Sequence, residues 1–145
     1  REIMASLLQP APTGPIQGGT YAGSALGLAA AQATLDLVTS ERFHDDLLDA
    51  ASRFFGQLAE VFDRSPLPAR IQSAGCMFHV YIGTREPVIS YADMRALDPE
   101  LARRFFSRCI DEGVYFHTDF SVSAAHDEAT FDTVLERVET IAAGF

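Results

Sequence analysis

The chain has 145 residues, 48% of them hydrophobic and 21% charged, with a formal net charge of −9 at pH 7. That length suffices for one domain with a real core, and the composition is that of a globular protein. The acidic balance argues against non-specific binding to nucleic acid, whose phosphates attract basic surfaces. No apolar run approaches the roughly 18 residues that a membrane helix needs.

Residues 1–8 read as a short helix, stopped by Pro10, Pro12 and Pro15, which cannot continue one. The loop that follows, up to Thr20, is rich in Pro, Gly and Thr and long enough to suspect function. Gly18-Gly19-Thr20 puts two flexible residues before a hydroxyl, where a ligand can approach the backbone closely. It runs into a small-residue helix over 23–37, marked by Leu26, Ala29, Ala30, Ala33 and Leu37 at threes and fours. Helix N-termini offer unpaired N–H groups and suit anions such as phosphate. The bland alternative is a loop with an ordinary N-cap.

A second helix is expected from the cap signal at Thr39-Ser40 to about Arg64. Its apolar stripe is Leu47, Leu48, Ala51, Phe54, Phe55, Leu58, Val61 and Phe62, and its carboxylates fall mainly on the wet side. Ser65-Pro66-Leu67-Pro68 breaks it. Residues 70–82 read as one strand with Gly75 as a bulge or close backbone approach. After a loop over 83–96, Asp98-Pro99-Glu100 announces a helix to about Asp111, burying Leu101, Phe105, Phe106 and Ile110 and ended by Gly113. Two short strands, 114–117 and 120–124, precede a last helix that starts after His126-Asp127. The expected architecture is a small sheet with helices on one face.

Few residues carry chemistry on their own evidence. Cys76 and Cys109 sit in apolar settings and read as free thiols of a reducing compartment. No Cys/His spacing suits zinc. His79 and His44 read as face and surface residues, and His126 as a helix-start or hydrogen-bonding histidine. Arg70, Arg85, Arg103, Arg104 and Arg108 could each grip a carboxylate as a fork, although surface ion pairs suit the last three better. Every one of the 11 basic residues is arginine, and the chain contains no lysine.

Several segments, in order, resemble class III aminotransferases, the pyridoxal-phosphate (PLP) enzymes that include glutamate-1-semialdehyde 2,1-aminomutase. Gly18-Gly-Thr-Tyr-Ala-Gly-Ser-Ala-Leu-Gly-Leu-Ala-Ala is similar to the G-T-x-x-G-N-P-L segment of that group. Gly75-Cys-Met-Phe resembles its G-S-M-F strand, the stretch 105–116 its F-F-x-x-L-L-x-x-G-V-Y helix end, and Ser123-Ala-Ala-His126 its S-x-A-H turn. The resemblance implies an α/β, fold-type I PLP-transferase, seen mainly as its C-terminal small α+β domain of about three short strands, plus a long linking helix. The implied divisions are 1–22, the end of a large cofactor-binding domain; 23–65, linking helices; and 66–145, the small domain.

It also implies amino-group transfer on a small amino acid or amine, in a cytoplasmic homodimer that uses neither nucleic acid nor membrane. Gly19 and Thr20 would contact the PLP phosphate held in the neighbouring subunit. PLP enzymes hold their cofactor on a lysine amine, so the Schiff-base lysine is expected upstream of Arg1 and the chain is expected to be a piece of a longer one. Tyr115 reaches Ser121 through fewer residues than in the aminomutases. That places His117 and Thr118 as candidate substrate contacts, or as parts of a plain tight turn. The rival expectation is a standalone, non-catalytic α+β module for ligand binding or interaction.

Overall fold

The structure is a computed structural model, and it describes Ala5, residues 18–116 and residues 120–145. The chain divides into two compact units, Arg1–Phe43 and His44–Phe145. The expected helix over residues 1–8 lies almost wholly outside the described residues, as do most of the loop up to Thr20 and residues 117–119.

In the first unit, helix α1 spans Ala25–Val38 and buries none of its residues. It starts later than its small-residue run suggests because Ser24 is the N-cap, its hydroxyl accepting from the Gly27 N–H at 3.4 Å. Leu26, Leu28, Leu35 and Leu37 are all exposed, and Leu26 and Leu28 point to nearly opposite sides at 100° per residue. Gln32 and Asp36 pair along one flank at 2.7 Å, but the leucines leave apolar surface on more than one other, and such surface is ordinarily covered.

The second unit is built on helix α2, Phe43–Arg64. Its apolar residues recur at threes and fours, so Ala51, Phe54, Phe55, Leu58, Val61 and Phe62 are all buried on one side. Leu48, expected on that stripe, is 45% exposed. Its neighbour Leu47 packs against the core, and one residue is 100° of rotation, so Leu48 is turned aside, where its Cδ2 would meet a Cβ placed on Gly75 at 3.8 Å. The C-terminal end of α2 is held by Arg85, whose guanidinium donates to the carbonyls of Phe62 at 3.2 Å and Ser65 at 3.0 Å. These are carbonyls that a helix end leaves without partners.

The stretch 70–82 is a hairpin rather than one strand. β1 (Ala69–Ala74) and β2 (Met77–Ile82) pair antiparallel, with Ala74 opposite Met77. The two-residue connection is Gly75-Cys76, and Gly75 takes φ +60°. Tight hairpin turns need positive φ at the first central position, which glycine adopts without strain. The feature that reads as a bulge is therefore the turn itself. Alternation does the rest: Ala69, Phe78, Val80 and Ile82 are buried, while Arg70, His79 and Met77 face out.

A third extended segment lies along β2, joined by the Met77–Ser121 bridge and by N–H bonds from Phe78 to Phe120 (3.0 Å) and from Val122 to Cys76 (2.9 Å). The expected strand at 120–124 is reduced to this bridge, and residues 114–116 are not in a strand. The Gln72 side chain caps the other edge. Its amide accepts the Val88 N–H at 2.7 Å and donates to the Val88 carbonyl at 3.1 Å, pairing as a strand residue would.

Helix α3, Tyr91–Arg95, interrupts the expected loop and is set by a capping box of Ser90 and Asp93. Helix α4, Pro99–Asp111, begins as its Asp-Pro-Glu signal predicts, with the Asp98 carboxylate accepting the Glu100 N–H at 2.9 Å. It buries Phe105 and Cys109, whereas Ile110 is 57% exposed. One residue is 100° of rotation, so the inward stripe that holds Phe105 passes through Cys109 and turns Ile110 away. Burial pushes the Cys109 thiol up to about 12; both cysteines are free. Gly113, at φ +74°, ends the helix region. Helix α5, Glu128–Ala142, packs on α4 and closes the core with Phe131, Val138, Ile141 and Ala142.

Two surface carboxylates set helix starts and are held below the ordinary aspartate value of 3.8. Asp127 is held by the Thr130 hydroxyl and then by the Thr130 N–H; Asp93 is held by the Ser90 side chain and then by the Ile89 N–H. A depressed carboxylate stabilises the folded state above its unfolded pKa and loses that contribution as pH falls through the folded value. The melting temperature is therefore expected to drop as the pH is lowered from about 5 to below the ordinary aspartate value. The drop should be shallower in Asp127→Asn, as a thermal melt series across that range would record.

Candidate functional site

The Gly18–Gly23 turn precedes α1. The Ala22 N–H donates to the Gly19 carbonyl at 3.0 Å and the Ser24 N–H to the Tyr21 carbonyl at 3.2 Å. Gly19 has φ +155° and Gly23 φ +77°, values that strain a residue with a Cβ. Among the described residues, a Cβ on Gly18 or Gly19 would meet nothing within 4 Å. Thr20 is exposed in the turn. The helix cap is Ser24, four residues on, so the plain capping role belongs to Ser24 and leaves the Thr20 hydroxyl outside it.

The other candidates lie in the second unit. The Nδ1 of His126 accepts the Ser123 N–H at 3.0 Å, and the residue stands next to Asp127, the N-cap of α5. That hydrogen bond places the proton of the neutral ring on Nε2. His79, on the outer face of β2, lies 4.5 Å from the Tyr81 ring and 5.0 Å from the Phe120 ring, and partial burial lowers its pKa. His117 and Thr118 lie outside the described residues.

The arginines are largely engaged elsewhere. Arg85 is spent on the end of α2, and Arg103 is paired with Glu100 through its Nε at 2.8 Å. Arg108 donates to the Gly144 carbonyl at 3.2 Å and lies with Arg104 over the Phe145 ring. Arg70 stands exposed on the outer face of the hairpin, opposite Tyr81. Among the described residues no group of three His, Cys, Asp or Glu could hold a metal ion, and no helix is long and apolar enough to cross a membrane.

The turn offers backbone N–H groups and the hydroxyls of Thr20 and Tyr21, and with no lysine in the sequence no side chain here can form a Schiff base.

No family model matches the sequence. Solved structures do match. A β-phenylalanine aminotransferase from Variovorax paradoxus superposes with a TM-score of 0.76 at 18% identity, over 99% of this chain and 33% of that one. An omega-transaminase from Sphaerobacter thermophilus gives a TM-score of 0.71 at 18% identity, over 97% of this chain and 34% of its own. This chain has the fold of the C-terminal part of fold-type I aminotransferases. It spans about a third of the length of these two proteins.

Proposed function

We propose that the chain forms part of a PLP-dependent enzyme of class III, an aminotransferase or 2,1-aminomutase, that moves an amino group on a small amino acid or amine. The observation that carries this reading is the fold, shared over nearly the whole chain with two aminotransferases and combined with the ordered sequence resemblance. The exposed leucines of α1 support it against a standalone module. An apolar helix without burial calls for further protein around it.

In this reading Gly19 and Thr20 hold the cofactor phosphate, and they do so for the neighbouring subunit of a homodimer. The Thr20 hydroxyl and N–H donate to phosphate oxygens, and Gly19 keeps side-chain bulk away from them. PLP, when bound, supplies the aldehyde that takes up the substrate amine and the ring that accepts the developing negative charge. The amine for its attachment comes from a lysine outside these residues. His117 and Thr118 are assigned to the substrate side.

The test is borohydride reduction of the source protein in the presence of PLP, followed by intact mass. A mass well above 15.8 kDa carrying one pyridoxyl adduct is expected. A 15.8 kDa species without adduct would sink the proposal and favour the binding module.

A further inference from the structure

We draw no further inference here: the strongest candidate, the exposed arginine patch that Arg103, Arg104 and Arg108 of α4 form beside Phe145, carries nothing, because its guanidiniums are already engaged by the Glu100 carboxylate, the Phe145 ring and the Gly144 carbonyl and nothing in the structure shows what covers it.

Discussion

Phe105→Ala is expected to cost about 3–5 kcal/mol of folding stability, the range for removing a buried phenylalanine from a packed core. Phe105 is fully buried at the centre of α4. Its ring lies 5.7 Å from Phe62 of α2, 5.3 Å from Phe106 and 6.1 Å from Phe145. Truncation would therefore strip contacts from α2, from α4 itself and from the chain end at once, and leave a cavity that rigid helices cannot collapse into. A domain is typically stable by only about 5–15 kcal/mol, so the change should consume a large share of the total. Urea unfolding followed by circular dichroism would measure it. Ile110→Ala, at the exposed position next to the Cys109 layer, serves as the contrast and should cost well under half as much. Equal losses at the two positions would mean that α4 faces the core differently from the arrangement described.

The contrast also marks how far the sequence could be read. The helix over 99–111 was legible at both ends because its signals are local: Asp98 caps, Pro99 fits the first turn, and Gly113 stops it. Its facing was less legible. Ile110 and Cys109 are both apolar, and only the angle fixed by Phe105 decides between them. The same limit applies to Leu48, apolar and correctly spaced but turned aside while Leu47 packs on the core. The hairpin was missed for another reason. Gly75 breaks an apolar run of strand-like residues, and a bulge and a two-residue turn leave the same trace in one dimension. What separates them is the Ala74–Met77 pairing, a contact the run itself does not encode.

The site divides in the same way. The Gly-Gly-Thr turn could be found from composition, since glycines before a hydroxyl and a small-residue helix stand out in any chain. That Ser24, and not Thr20, caps α1 could not, because both residues are competent caps and the choice rests on where the turn closes. Phe54, Phe78 and Phe131 each fit an apolar stripe of their own element, and that their rings meet shows only once α2, β2 and α5 are brought together. Arg85 shows the converse: a residue with the right chemistry for a carboxylate, consumed by the carbonyls at the end of a helix 20 residues away in sequence.

Thr20→Val is expected to weaken PLP binding by the full protein by about 5- to 150-fold, corresponding to about 1–3 kcal/mol for a lost donor to a charged group. Valine keeps the shape and removes only the hydroxyl, so the backbone N–H donors and the turn should persist. The turn is held by the Gly19 carbonyl and the Ala22 N–H, neither of which the substitution touches. Folding stability should therefore stay within about 0.5 kcal/mol of the parent, as for an exposed surface position. Thr20→Ser should restore most of the affinity, because it returns the donor. PLP dissociation constants for the three proteins, measured by equilibrium dialysis, would settle the matter. Unchanged affinity in Thr20→Val would remove Thr20 from the phosphate site, and with it the strongest residue-level reason to place a shared cofactor at this turn.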